Sequence, residues 1–72
     1  KDFMLTTKVG ENAGLIWNAL NVSEFGLSLK DLKKATKLKK NEDIFMAIGW
    51  LLREDKLMVD ETEEEPIYSL KY

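Results

Sequence analysis

Large apolar residues recur three and four positions apart in the first third of the chain, with polar residues between them. They are Val9, Ala13, Ile16, Trp17 and Leu20. Because successive helical residues turn by about 100°, this spacing places their side chains on one face. The pattern predicts an amphipathic helix from about Val9 to Asn21, with Trp17 in the core. Gly14 is expected to mark a close contact with a neighbouring helix, since glycine weakens a helix by about 1 kcal/mol relative to alanine.

A second, short helix is predicted after a connection at residues 22–27, which ends in one short strand near Leu27. Ser28 is the expected N-cap, because its hydroxyl accepts hydrogen bonds from the first helical turn, and Asp31 completes a capping-box-like pattern. The helix is expected from about Leu29 to Thr36. Its buried stripe is predicted to consist of Leu29, Leu32 and Ala35.

A third helix is predicted to begin with Asn41 as its capping residue and to end near Glu54. Glu42 and Asp43 lie in its first turn, where negative charge stabilises the positive end of the helix dipole. The side of this helix that faces the core is predicted to consist of Ile44, Phe45, Ile48, Leu51 and Leu52.

Two segments of alternating apolar and polar residues follow. The first contains Leu57 and Val59, and the second extends from Ile67 to Tyr72 after a polar stretch that ends at Pro66. This alternation predicts an antiparallel hairpin. Three helices followed by a hairpin are typical of a winged helix-turn-helix, a mainly α fold in which a small β-hairpin forms the wing of a three-helix core. At this length we expect a single domain over residues 1–72.

Composition restricts the chemistry that the chain can perform. It contains neither cysteine nor histidine, so thiol nucleophiles, the usual general base and the usual zinc ligands are missing. Adjacent acids on a helix point in different directions and form no catalytic pair. We therefore expect no enzyme, no catalytic or metal-binding residues, no cofactor and no small-molecule substrate. With no export signal and no membrane-spanning apolar run, a cytoplasmic location is expected.

The net charge of −2 conceals a strong segregation of charge. From Lys30 to Lys40 six lysines accompany one aspartate, giving +5, whereas the segment from Asn41 to Tyr72 carries −6. The lysines lie along one side of the second helix and through the turn after it. They are Lys30, Lys33, Lys34, Lys37, Lys39 and Lys40. Two interpretations are evenly weighted: contact with the phosphates of double-stranded DNA, or a solvated charged face.

The acidic residues argue against base recognition by the third helix. Glu42 and Asp43 would meet phosphates where such a helix enters the major groove, and no base-reading arginine or glutamine of this helix precedes Arg53. The turn of the hairpin is also acidic, and we interpret it as a solvated wing tip rather than a calcium loop. Its acids are Asp60, Glu61, Glu63, Glu64 and Glu65.

The third helix also carries an apolar strip with a charged rim, formed by Met46, Gly49, Trp50 and Arg53. Tryptophan, methionine and arginine are enriched at protein interfaces, and a glycine allows a neighbouring backbone to approach. The strip is therefore a candidate surface for a homodimer or another protein partner. The alternative, which we favour for Trp50, is that the hairpin folds over it and buries it in the core.

Two segments carry a family resemblance. The first contains Ala13, Gly14, Ile16 and Trp17, and the second contains Ala47, Gly49, Trp50, Leu51, Arg53, Glu54 and Lys56. With the lysine-rich helix between them, they resemble a family of small stand-alone bacterial winged helix-turn-helix proteins, over nearly the whole chain. The resemblance implies the fold, a homodimer and, by analogy alone, DNA binding in transcription regulation. The two hypotheses are thus a DNA-associating domain and a protein-interaction domain.

Overall fold

The computed structural model describes residues 2–62 and 64–71, with residues 2–4 described by their backbone alone. Its elements are three helices, α1 (Asp2–Asn21), α2 (Leu29–Thr36) and α3 (Asn41–Arg53), and two strands, β1 (Leu57–Asp60) and β2 (Ile67–Leu70). The strands pair as an antiparallel hairpin, with Leu57 opposite Leu70 and Val59 opposite Tyr68. The predicted order of three helices and a terminal wing is confirmed.

Helix α1 is longer than predicted, because it begins at Asp2 rather than near Val9. Leu5 lies one turn before Val9 on the same face of the helix, yet it is 53% exposed. Leu5 therefore lies outside the core that the later turns of α1 contact. An amphipathic pattern marks a helix only where one face is packed, and this explains why the sequence pattern predicts the start too late.

One core joins all five elements. Ile16, Leu32 and Ile44, one from each helix, are fully buried, and Leu57 and Tyr68 contribute from the two strands. Among the described residues, the buried core cluster consists of Ala13, Ile16, Leu20, Leu32, Ile44, Ala47, Ile48, Leu51, Leu57 and Tyr68. Val9 of α1 is buried as well. Because α1 and α3 make the most extensive helix contact, the α1–α3 pair forms the centre of the domain, and α2 and the hairpin close its sides.

Several side chains predicted to be buried lie at the surface. Trp17 is 38% exposed and Trp50 is 39% exposed, so the prediction that either tryptophan belongs to the core is wrong. Phe45 and Leu52 of α3 and Ala35 of α2 are exposed as well. Each of the two four-residue strands presents only one buried side chain, so the hairpin is too small to cover the flanks of α3.

The predicted cap of α2 is confirmed, whereas the predicted cap of α3 and the predicted close contact at Gly14 are wrong. Ser28 caps α2 as predicted, and its hydroxyl accepts a hydrogen bond from the Asp31 N–H at 3.3 Å. Asn41 is instead the first residue of α3, and the capping position belongs to Lys40, whose extended backbone directs its carbonyl to the helix. Gly14 marks no close contact, since no described neighbouring atom lies within 4 Å of a Cβ built on it.

The connection between α1 and α2 is attached to the wing. Leu27 and Tyr68 exchange two backbone hydrogen bonds of 2.8 Å, which confirms the predicted short strand as an isolated bridge. Gly26 beside it has a φ of +90°, and a Cβ there would lie 2.7 Å from the Tyr68 carbonyl oxygen. The backbone thus needs glycine at this position. The second strand ends at Leu70 rather than at Tyr72, which lies outside the described residues.

Candidate functional site

The six predicted lysines form one region on α2 and the turn after it, which we call the lysine surface. Lys33, Lys34, Lys37 and Lys39 surround one surface depression of about 560 Å³, together with Leu38. Lys30 lies one turn earlier on α2, and Lys40 lies directly before α3. Five of the six lysines are exposed and Lys33 is half-buried.

The backbone of the turn that carries these lysines is held in place. The Thr36 hydroxyl donates a hydrogen bond of 2.6 Å to the Leu32 carbonyl and accepts one of 3.3 Å from the Leu38 N–H. Leu38 is half-buried against the core. Lys37 ends α2 with a φ of 64°, and its N–H donates to the Lys33 carbonyl at 2.9 Å. These contacts fix where the lysine side chains leave the surface.

The lysine surface carries several positive charges without ion-pair partners among the described residues. Within residues 2–62 and 64–71, none of its lysines forms an ion pair; the two ion pairs found there join Lys8 to Asp43 and Lys71 to Asp55. Asp31, the one acid of the basic segment, lines a cleft with acids of the wing instead. Positive charge therefore accumulates along α2 and its turn.

The acidic cleft lies between the start of α2 and the wing. It has a volume of about 570 Å³ and is lined by four carboxylates, from Asp31, Asp60, Glu64 and Glu65. No group of three acids in the described part of the chain is arranged to hold a metal ion. Glu63, predicted to belong to the wing tip, lies outside the described residues.

A local turn stabilises the start of the wing tip. The Asp60 carboxylate accepts hydrogen bonds from the hydroxyl of Thr62 at 2.6 Å and from its backbone N–H at 2.9 Å. Because both bonds favour the charged form, chiefly the side-chain bond, the pKa of Asp60 lies below its ordinary value of 3.8. The carboxylate is exposed to solvent, as the interpretation of a solvated wing tip predicts.

Helix α3 presents an apolar face to solvent. The predicted strip of Met46, Gly49, Trp50 and Arg53 is exposed, with Met46 42% exposed. Phe45 and Leu52, which the sequence pattern places in the core, widen this face instead. A helical wheel separates each of them by about 100° from the centre of the buried stripe, and this angle is the signal in the sequence for a boundary position.

No helix among the described residues has both the length and the apolar character needed to span a bilayer.

Comparison with known proteins supports the fold. A family model described as a winged helix-turn-helix domain (DUF2582) matches residues 4–70. An uncharacterised protein of Methanocaldococcus jannaschii, MJ1608, is 36% identical over 89% of this chain and 91% of its own length. The solution structure of protein BT2368 from Bacteroides thetaiotaomicron superposes with a TM-score of 0.78 at 32% identity. This superposition covers 90% of this chain and 77% of that one.

Proposed function

Because the chain belongs to the winged helix-turn-helix family DUF2582, whose helix-turn-helix architecture is used elsewhere for DNA contact, we propose that it is a non-enzymatic domain that associates with double-stranded DNA. The observation that carries this proposal is the lysine surface. Its lysines provide the phosphate contacts, and its position on α2 and the following turn makes that side of the domain the one that approaches the duplex. We propose that this association with DNA serves transcription regulation.

The distribution of charge supports contact with phosphates rather than with bases. Lysine ammonium groups around the depression contact phosphate oxygens and release counterions, a contribution that does not depend on the base sequence. Helix α3 carries Glu42 and Asp43 in its first turn, and its exposed side is largely apolar. Such a face has few donors for base edges. We therefore propose weak sequence preference and steep salt dependence.

A DNA titration at several salt concentrations tests this proposal. Fluorescence anisotropy of a short labelled duplex, measured between about 50 and 200 mM salt, should give a straight line of log affinity against log salt. The magnitude of its slope should be about 0.9 for each phosphate contact. Replacing Lys34, Lys37 and Lys39 by glutamine should weaken binding at least tenfold and reduce the slope by roughly 2 to 3. All three are exposed, so the substitutions leave the core intact.

The matched control replaces three lysines outside the lysine surface, Lys8, Lys56 and Lys71, by glutamine. It changes the net charge by the same amount, so a purely nonspecific charge effect would weaken binding equally in both variants. Equal losses, or no detectable binding by the wild-type protein near 100 mM salt, would contradict the proposal.

A second candidate function is that of a protein-interaction domain. The exposed apolar face of α3 favours it, because Trp50 and Met46 are residue types enriched at interfaces and they lie beside a solvent-exposed glycine, Gly49. The two candidates use different elements of the domain. A protein that binds α3 would leave the lysine surface on α2 accessible to a different ligand.

A further inference from the structure

We propose that the surface formed by α1, α2 and the wing docks a basic amphipathic helix of another protein. The apolar side chains of that helix enter a groove between α1 and α2, and its lysine and arginine side chains meet the carboxylates of the acidic cleft. This surface is separate from the exposed face of α3 and from the lysine surface, so the inference goes beyond both candidate functions. It rests on an open apolar groove and on the charge of the cleft beside it.

The groove between α1 and α2 is apolar and open to solvent. It has a volume of about 530 Å³, and its apolar lining consists of Leu15, Ala19, Val22, Leu27 and Ala35. Val22 is 85% exposed and Leu15 is 45% exposed. Depressions of about 300–1,000 Å³ with a mostly apolar lining are typical of ligand sites. The described part of the chain therefore leaves an apolar depression that none of its own elements covers.

The backbone around the groove favours a helix as its occupant rather than an extended strand. The N–H and the carbonyl of Leu27 both bond to Tyr68, so this segment offers no free edge to an added strand. The other walls of the groove belong largely to α1 and α2, whose interior backbone groups are bonded within each helix. An amphipathic helix fills such a groove with apolar side chains three and four positions apart.

The acidic cleft adjoins the groove and determines the charge of the occupant. Asp31 of the cleft lies one turn before Ala35 of the groove, on the same side of α2. Ser28 of the cleft directly follows Leu27 of the groove. None of the four cleft carboxylates belongs to the ion pairs found among the described residues. Lysine and arginine on the occupant are therefore complementary in charge to this end of the surface.

Phe25 adds an aromatic ring to the cleft. It is 84% exposed and lines the cleft beside the carboxylates. The Ser23 hydroxyl accepts a hydrogen bond of 2.8 Å from the Gly26 N–H, which fixes the backbone on both sides of Phe25. An aromatic face attracts the cationic end of a lysine or arginine side chain. The ring and the carboxylates thus favour the same kind of side chain.

Binding of a designed peptide, followed by NMR without DNA, tests the site. The probe is a helical peptide of roughly 16 residues, with leucines three and four positions apart and with lysines and arginines near one end. Added to isotope-labelled protein, it should shift the amide signals of Leu15, Val22, Asp31 and Ala35, with a dissociation constant on the order of 10–100 µM. A peptide of the same composition in shuffled order keeps the charge but has no apolar face. It should bind at least about tenfold more weakly.

Leu15→Gln tests the groove, and Leu52→Gln is its matched control. Both leucines are helical and 45% exposed, but Leu15 lines the groove and Leu52 lies on the exposed face of α3. Leu15→Gln should weaken binding of the peptide roughly fivefold or more, because it removes apolar area from the contact. Leu52→Gln should leave the affinity unchanged. Thermal denaturation of both variants shows whether they remain folded.

The carboxylates are tested by a pair of double variants that change the net charge equally. Glu64→Gln with Glu65→Gln removes two charges from the cleft, and it should weaken binding roughly threefold or more at low salt. Glu42→Gln with Glu54→Gln removes two exposed charges outside the cleft and should have a smaller effect. Equal losses in the two double variants would reduce the contact to a general attraction between opposite charges and would overturn the docking site.

The remaining outcomes also decide the proposal. No binding of the leucine–lysine peptide up to about 1 mM overturns it, as does equal binding of the shuffled peptide. Shifts centred on the α3 face overturn it and support the second candidate function instead. If dilution of the protein alone moves the same groove signals, the occupant is a second copy, and the proposal is also overturned. The DNA proposal is unaffected, because Lys30 and Lys34 lie about 100° or more around α2 from Ala35.

Discussion

At the scale of single residues, Gly26 has a requirement that no other residue type meets. Its φ of +90° is unfavourable for L side chains, and a Cβ would lie 2.7 Å from the backbone oxygen of Tyr68. We predict that Gly26→Ala lowers the free energy of unfolding by about 2 kcal/mol or more, measured by urea denaturation.

Gly14 is the control for this substitution, because it lies within α1 and no described neighbouring atom comes within 4 Å of the position that an alanine methyl group would occupy. Gly14→Ala should raise the free energy of unfolding by up to about 1 kcal/mol. If Gly26→Ala and Gly14→Ala both raise or both lower the free energy of unfolding, the close approach of Gly26 to β2 does not determine the effect of Gly26→Ala.

Lys37 couples backbone strain to a proposed phosphate contact. Its φ of 64° lies in the left-handed region, where glycine is favoured at the end of a helix. We predict that Lys37→Gly raises the free energy of unfolding by about 0.5–1 kcal/mol and weakens DNA binding severalfold. Thermal denaturation and the anisotropy titration measure the two effects.

Lys37→Gln separates the two contributions at this position. It removes the charge but keeps a side chain in the left-handed conformation, so DNA affinity should fall without any gain in stability. Equal DNA affinity for wild type, Lys37→Gly and Lys37→Gln would remove Lys37 from the proposed contact.

At the scale of the elements, the wing tip is sensitive to acid. Hydrogen bonds from Thr62 lower the pKa of Asp60 in the folded protein, so this carboxylate contributes stability above its ordinary pKa of 3.8. That contribution is lost as the pH falls through the lower folded-state pKa. We predict that Thr62→Val raises the pKa of Asp60 toward 3.8, as observed by NMR titration of its carboxyl carbon. An unchanged titration curve would contradict the assigned hydrogen bonds.

The elements are predictable where packing or capping leaves a pattern in the sequence. The Ser28 cap, the extent of α2 and the alternation of the wing all follow from local rules, and the structure confirms them. The exposed tryptophans are not predictable by this route, because periodicity places a residue on a face of a helix but does not show how far the neighbouring elements reach across it. Trp50 illustrates this, since the short hairpin leaves it uncovered.

The candidate surfaces also differ in how much of each can be predicted from the sequence. Helical spacing alone groups the lysines of α2, and the structure places four of the six around one depression. The grouping of Asp31 with the acids of the wing depends on tertiary contacts between distant segments, which a single sequence does not contain. Helical spacing marks Phe45 and Leu52 as boundary positions between core and surface. Whether another element covers them depends on tertiary contacts, and the structure leaves both exposed.

At the scale of the whole molecule, the two candidate functions are geometrically compatible. A protein partner on the exposed face of α3 would cover Met46 and Trp50. It would leave the lysine surface on α2 and the following turn accessible to DNA. The carboxylates that line the acidic cleft would repel phosphates from that side of the wing.

The surface position of both tryptophans makes the domain its own optical reporter. Trp50 lies on α3 and Trp17 on α1, each more than one third exposed, so their emission responds to what covers them as well as to unfolding. A Trp17→Phe variant would keep a single indole on the α3 face. Its emission should shift to shorter wavelength when a bound partner excludes water from that indole, so occupancy of this face can be followed in solution without any attached label.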